Sequence, residues 1–337
     1  MNKESVMIGM SGGVDSSVAA YLLQHNQYHC VGCTMRLYCS PCGAEDNVAD
    51  ARSVADRMGI PFHVFDFQED FHRCVIRSFI SSYESGITPN PCIQCNRFLK
   101  FGVMLEKALE LGCTYVATGH YAQIRKDEHT GRYLLYKAAD KAKDQSYFLY
   151  SLTQHQLSHT LFPLGELTKE EARKIADSQG FVTARKKDSQ DICFVPDGDY
   201  VAFMKDYTGK SYAPGDYLDL SGKVVGKHQG AVCYTLGQRK GLGIALGAPV
   251  YVCAKDMQQN TVTVGPNEAL FHNALRAADW NWILFPALTH PIRVTAKIRH
   301  SQNEQSATVY PEENGFARVV FDQPQRAITP GQAVVFY

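Results

Sequence analysis

The chain has 337 residues, with 34 Lys and Arg balanced by 34 Asp and Glu for a formal net charge of zero. At 45% hydrophobic and 20% charged it has globular composition, which excludes a disordered chain, and its length accommodates two or three domains with their own cores. No apolar run approaches bilayer-spanning length and the start Met1-Asn2-Lys3-Glu4 lacks a secretory pattern, so a soluble cytoplasmic protein without a membrane partner is expected.

In chain order, residues 5–10 predict a short buried strand, followed by a Gly-rich turn and a helix over 14–24. Strand 28–36, helix 46–58, strand 61–67, helix 98–111 and strand 115–118 continue the alternation to about Phe194. Alternating strands and helices predict a doubly wound parallel sheet. From Pro196 onward Gly and Pro recur between short strands at 217–220, 224–226, 250–254 and 261–264. After Gly265 alternating runs follow at 292–298, 306–310, 316–321 and 333–337. The expected class is α/β, with domains at 1–195, 196–265 (small, mainly β) and 266–337 (a β barrel).

Eleven cysteines, an odd number, in a chain without an export signal argue against a disulfide framework. The neutral total leaves room for local basic patches, so a nucleic-acid partner is not excluded.

Ser11-Gly12-Gly13-Val14-Asp15-Ser16-Ser17 falls between the first strand and the first helix. Paired glycines let backbone approach a ligand, and the helix N-terminus offers N–H groups and partial positive charge to phosphate. Ser11, Ser16 and Ser17 add hydroxyl donors, and Asp15 suits Mg²⁺ on the phosphates. No Gly-Lys-Ser/Thr follows, so this is not a Walker A loop. The string resembles the loop of the ATP pyrophosphatase superfamily. That resemblance implies an ATP site lined by Gly9, Met10, Ser11, Gly12, Gly13, Val14, Asp15 and Ser16, with Met35 and Gly119.

Cys92 and Cys95 stand in the proline-stiffened segment TPNPCIQCN, and Cys193 stands in KDSQDICF. Cys95 near the start of a helix, and Lys186 and Lys187 upstream of Cys193, are arrangements that favour thiolates. Three readings stay open on these residues alone. The thiols are structural; or Cys39, Cys42, Cys92 and Cys95 bind zinc, or Cys92, Cys95 and Cys193 hold an iron–sulfur cluster; or Cys95 and Cys193 exchange sulfur.

The strings TPNPCIQCN, ATGHYA, KDQSYFL, KDSQDICF, HQGAVCYTLGQRKGLGI and RAITPGQAVVFY occur in this order over nearly the whole chain. Together they resemble the bacterial tRNA-specific 2-thiouridylase family. The resemblance implies ATP-dependent 2-thiolation of the wobble uridine of tRNAs for Lys, Glu and Gln, with tRNA and a protein sulfur donor (a cysteine desulfurase or sulfur-relay carrier) as partners to a monomer. It makes Cys95 the nucleophile, Cys193 the persulfide carrier and Asp15 a catalytic acid of the ATP site. Asn90, Pro91 and Cys92 would lie beside the target base, Asp144, Gln145 and Ser146 would meet tRNA with His120 nearby, and Arg299, His300 and Gln332 would touch RNA from the C-terminal barrel. Many family members carry Asp where this chain has Cys92. Read without the resemblance, Asp144 to Ser146 predict a helix cap, and the loops His228-Gln229-Gly230 and Gly237-Gln238-Arg239-Lys240-Gly241 predict either solvated turns or phosphate contacts.

Overall fold

A computed structural model describes residues 4–38, 44–184, 186, 192–195 and 197–337. The Cys39–Cys42 pair and residues 187–191 lie outside the described residues. Two compact units emerge: Met1–Ile76 with Pro91–Phe194 and Asn281–Pro286, and Arg77–Asn90 with Val195–Trp280 and Ala287–Tyr337.

Among the described residues, the first unit carries a five-stranded parallel sheet in the order β3-β2-β1-β4-β7. Its strands are β1 (Ser5–Gly9), β2 (His29–Arg36), β3 (Phe62–Asp66), β4 (Tyr115–Ala117) and β7 (Thr160–Leu161), and a β-hairpin of β5 (Ala122–Lys126) and β6 (Tyr133–Lys137) follows β4. Val6, Met7 and Ile8 are fully buried, as an unbroken apolar run in a two-sided sheet requires. Val6 and Ile8 join a core with Val18 and Ala19 of helix Val14–His25, Val54 of helix Ala44–Met58 and Ala172 of helix Lys169–Ser178. Met7 and Val116 join a second core with Phe101, Met104 and Leu105. Both faces of the sheet are therefore covered, and the doubly wound reading holds. Strand order reverses at β1, which has β2 on one side and β4 on the other. That switch point is where open α/β sheets bind ligands, beyond the strands' C-terminal ends.

The cysteine-bearing helix starts earlier than its sequence pattern predicts. It opens as helix Pro91–Gln94, continues as a π-helical stretch Cys95–Val103 and closes as helix Met104–Glu110. Proline at the first position has no N–H to leave unpaired. The apolar pattern hides this start, because residues 94–97 are mostly polar.

The second unit is mainly β. Strands β8 (Gly215–Leu218), β9 (Val224–His228), β10 (Tyr251–Asp256) and β11 (Thr261–Gly265) form a sheet in the order β10-β11-β8-β9. Strands β12 (Phe271–Ala277), β13 (Ile292–Lys297), β14 (Gln305–Pro311), β15 (Ala317–Arg326) and β16 (Val335–Phe336) form an antiparallel, barrel-like sheet in the order β12-β15-β14-β13-β16. His228 ends β9 as a core residue, 3% exposed. Its ring packs edge-on against Tyr217 and Tyr234, and its Nδ1 accepts the Gly230 N–H at 2.9 Å. It is thus neither a solvated turn residue nor a phosphate ligand, and burial lowers its pKa. Arg239 and Lys240 are exposed.

Candidate functional site

The turn after β1 lies at the switch point. Gly12 has φ +67°, and a Cβ there would stand 2.4 Å from the Asn47 carbonyl oxygen. Only glycine satisfies both the left-handed backbone and that contact. The Ser11 N–H donates to Ser16 Oγ at 3.1 Å, Ser16 Oγ donates to the Gly13 carbonyl at 3.2 Å, and Ser17 Oγ donates to the same carbonyl at 2.9 Å. The hydroxyls of Ser16 and Ser17 thus shape the turn.

Asp15, in the first turn of helix Val14–His25, accepts the Lys169 ammonium at 2.8 Å on each carboxylate oxygen. The Tyr121 hydroxyl donates to the same carboxylate at 2.9 Å. Asp15 is the acid of the turn, and its cation here is the Lys169 ammonium. Lys169 and Tyr121 were invisible as site residues in the sequence, because the fold alone brings them to the loop. Gly119, after β4, closes the turn from the other side: a Cβ there would lie 2.7 Å from Asp15 C and Ser16 N. Met10 is buried and its carbonyl accepts the Thr34 hydroxyl at 2.6 Å. Met35 lies in β2, and Gly9 faces Met104 Sδ across 3.3 Å of hypothetical Cβ space.

Next to Gly119, His120 is buried, with its Nδ1 2.7 Å from Thr118 Oγ1 and its ring against Phe101 and Phe162. Burial first, and then Lys100, hold its pKa well below the usual histidine value, so the ring is neutral. Lys100 connects this side of the site to the thiols.

Cys92, Cys95 and Cys193 lie within electrostatic reach of one another and of Lys100. Cys95 and Lys100 both sit in the π-helical stretch, whose i→i+5 hydrogen bonding suits a pair five residues apart. Cys193 is held by its neighbour Phe194, whose buried ring packs edge-on against Phe71 at 5.6 Å between centroids. Cys92 and Cys193 are exposed and Cys95 is half-buried. The helix-start expectation for Cys95 fails on energetics. Cys95 lies past the first turn, and burial pushes its thiol up to about 11, against the pull of Lys100. Cys92 and Cys193, though open at the surface, stand among enough protein atoms that desolvation raises both thiols; Cys92 raises Cys193 further, and Lys100 again opposes the shift. Lys186, expected to serve Cys193, instead donates to Asp50 at 2.8 Å and Asn47 at 2.7 Å. Among the described residues, Lys100 is the cation that favours thiolate at these three cysteines. Replacing Lys100 by Met therefore slows Cys95 alkylation by iodoacetamide at pH 8 by roughly 3–10-fold and moves the pH profile to higher pH; identical profiles in both proteins would contradict this electrostatic role.

Three family profiles match the chain in succession: a tRNA methyl transferase HUP domain over residues 4–197, a tRNA methyl transferase PRC-barrel domain over 201–266 and an aminomethyltransferase β-barrel domain over 272–337. The tRNA-specific 2-thiouridylase MnmA of Acetivibrio thermocellus is 50% identical over 347 aligned residues, which cover 100% of this chain and 97% of that one. The enzyme of the same name from Symbiobacterium thermophilum is 52% identical, covering 98% of this chain and 88% of that one, and that of Clostridioides difficile is 49% identical, covering 100% and 95%.

The chain belongs to the MnmA family.

The remaining residues that the MnmA resemblance assigns to RNA have internal partners. Asp144 accepts the Ala138 N–H at 3.0 Å, the Ser146 N–H at 3.3 Å and the Ser146 hydroxyl at 2.7 Å. Gln145 accepts the Tyr121 N–H at 2.9 Å, and its own N–H donates to the Tyr121 carbonyl at 2.9 Å. Asp144 thus braces the single 3₁₀ turn Ser146–Phe148, while Gln145 fixes the loop bearing His120 and Tyr121. Asn90, Arg299, His300 and Gln332 belong to the second unit. There Arg299 donates to the carbonyls of Arg326 at 2.9 Å and Ala327 at 2.6 Å, His300 is exposed, and Gln332 donates to the Thr88 carbonyl at 2.9 Å. Pro91 is buried at the head of the cysteine helix. Among the described residues, no group of three or more His, Cys, Asp or Glu side chains is arranged to hold a metal ion, and no helix is long and apolar enough to cross a membrane.

Proposed function

We propose that this MnmA family member is a tRNA-uridine 2-sulfurtransferase that converts a wobble uridine to 2-thiouridine with ATP. The observation that carries this reading is the convergence of Cys95, Cys193 and Lys100 in the unit that also holds the Ser11–Ser17 turn at its sheet's switch point. A ring carbonyl oxygen is a poor leaving group and AMP a good one. ATP lies along Gly9 to Ser16, Met35 and Gly119, and uracil O2 attacks its α-phosphate, releasing pyrophosphate. Asp15 is the residue that would hold magnesium, which would supply positive charge to the phosphates. Two glycines, the first-turn N–H groups and a preformed turn orient the nucleotide.

A sulfur donor, cysteine desulfurase or relay carrier, loads Cys193 as a persulfide. The Cys95 thiolate attacks Cys193 Sγ, a disulfide forms between them, and the outer sulfur leaves as sulfide. That sulfide adds to C2, and AMP departs with the original oxygen. A dithiol reductant then returns the disulfide to two thiols. The raised thiol pKa values suit a relay kept protonated until a charge or substrate arrives. By family correspondence a flipped uridine is assigned to Asn90, Pro91 and Cys92, and tRNA contact to Asp144, Gln145 and Ser146 with His120 nearby, and to Arg299, His300 and Gln332. The protein would act as a cytoplasmic monomer with domains at 1–195, 196–265 and 266–337.

The rival reading, an iron–sulfur cluster on Cys92, Cys95 and Cys193, finds no support in the geometry, since among the described residues no three His, Cys, Asp or Glu side chains are arranged to hold a metal ion. One experiment separates the two: anaerobically purified protein, assayed for iron, is given ATP, unmodified tRNA and a persulfide donor. The relay reading expects 2-thiouridine, AMP and pyrophosphate from iron-free protein, and a Cys95–Cys193 disulfide by non-reducing peptide mapping. Activity that depends on bound iron would replace the relay with the cluster.

A further inference from the structure

We propose that Lys169 is the phosphate-neutralising cation of this site, parked on Asp15 while the nucleotide is absent. The proposal rests on the ATP reading above and adds a residue to it. A polyphosphate entering the Ser11–Ser17 turn meets glycines, serines and an acid, but no lysine of the turn's own. In Walker loops that lysine is part of the same string. Here the fold supplies an ammonium from elsewhere in the chain.

Lys169 is the first residue of helix Lys169–Ser178. Its place is fixed three ways. Thr168 and Glu171 form a capping box around it, its N–H donates to the Asp140 carboxylate at 3.0 Å, and its stem is buried so that the residue is 8% exposed. The ammonium ends 2.8 Å from both Asp15 oxygens and 5.9 Å from the centre of the Tyr121 ring. The positive end of a helix disfavours a cation, and the acids Glu170 and Glu171 are the residues that suit this first turn. Helix stability therefore does not explain Lys169; the Asp15 carboxylate and the turn it belongs to do.

A buried pair is costly to break by removing one member, because the other is left without a counter-charge. It is cheap to open when both members find new partners together. With magnesium and ATP bound, Asp15 would hold the metal and Lys169 a phosphate oxygen, so that both charges would keep a partner. Tyr121, already donating to Asp15, keeps the carboxylate in place during the exchange. Lys169 is then the residue whose charge the nucleotide finds in the turn, and Asp15 is the residue that keeps it there beforehand.

The test is equilibrium binding of a non-hydrolysable ATP analogue to the full chain, titrated with Mg²⁺, in the wild type, Lys169→Met and Lys169→Arg. Lys169→Met should weaken the analogue at saturating Mg²⁺ by about 10–100-fold, while lowering the Mg²⁺ needed for half-maximal binding, because Asp15 has lost its competitor. Lys169→Arg should keep most of the affinity. An unchanged affinity in Lys169→Met, or a Mg²⁺ midpoint that rises, overturns the proposal. If Lys169→Met unfolds too readily, the Asp15→Asn/Lys169→Met pair removes both charges and is compared with wild type in Mg²⁺-free solution. Affinity lost there supports the phosphate role, and affinity retained there shows that the lysine served only Asp15. A wild-type protein that binds no analogue would overturn the ATP reading itself, whereas normal wild-type binding with an indifferent Lys169→Met overturns only the lysine's role.

Discussion

Replacing Cys193 by Ser should abolish thiolation, with 2-thiouridine falling on the order of 10³-fold or more, because a hydroxyl cannot carry a persulfide. Cys95→Ser should fall as far under multiple turnover, since the outer sulfur then has no internal thiolate to release it. Both variants keep the Ser11–Ser17 turn, the Asp15–Lys169 pair and Gly119 intact. Each should therefore still release pyrophosphate once per active site and then stop with adenylated tRNA bound. A burst of pyrophosphate without thiolated product separates loss of sulfur chemistry from loss of fold or of ATP binding. Cys92→Ser should cost much less under the relay reading, because Cys92 carries no sulfur in it and acts on Cys95 and Cys193 as a neighbouring thiol that raises both. Thiolation surviving in Cys193→Ser would remove the persulfide role outright.

Asp15→Ala should lose adenylation by about 10²–10³-fold and destabilise the protein by roughly 2–3 kcal/mol. The side chains of Lys169 and Asp15 are 10% and 31% exposed, so the pair is shielded more than a surface ion pair but less than a fully buried one. Removing the carboxylate strands the Lys169 ammonium and also deprives the Tyr121 hydroxyl of its acceptor. Thermal unfolding should show a drop of several degrees. The Asp15→Ala/Lys169→Met double variant should recover part of that drop, since the stranded charge is gone, while adenylation stays low. Additive stability losses would mean that the two charges do not support one another.

Much of the first unit was legible because its physics is local. The apolar run Val6-Met7-Ile8, the Gly12-Gly13 turn and the apolar stripe of helix Val14–His25 each carry their structure in adjacent residues. The same holds for the second unit's alternating strands, although β12 (Phe271–Ala277) escaped because five of its seven residues are exposed and its alternation is weak. Helix Lys169–Ser178 carries a local signal of its own: Thr168 and Glu171 spell a capping box. Finding it would not have found the site, since nothing in sequence brings Lys169 to Asp15. The thiols show the same limit. Cys95 and Cys193 could be named from their strings, but the sign of the Cys95 shift depends on burial, and the nearby cation proved to be Lys100 rather than Lys186. Likewise, Asp144, Gln145 and Ser146 read as RNA contacts by family correspondence, yet their hydrogen bonds brace the turn at Ser146 and the loop that holds His120 and Tyr121. Long-range electrostatics and hydrogen-bond bookkeeping are properties of the fold, not of the string.

The most direct measurement is nucleoside mass spectrometry of total tRNA from a strain lacking this gene. Loss of wobble 2-thiouridine derivatives, restored by the wild-type gene and not by Cys193→Ser, is the predicted result. Normal levels of those nucleosides in the deletion strain would contradict the assignment of sulfur transfer to this chain.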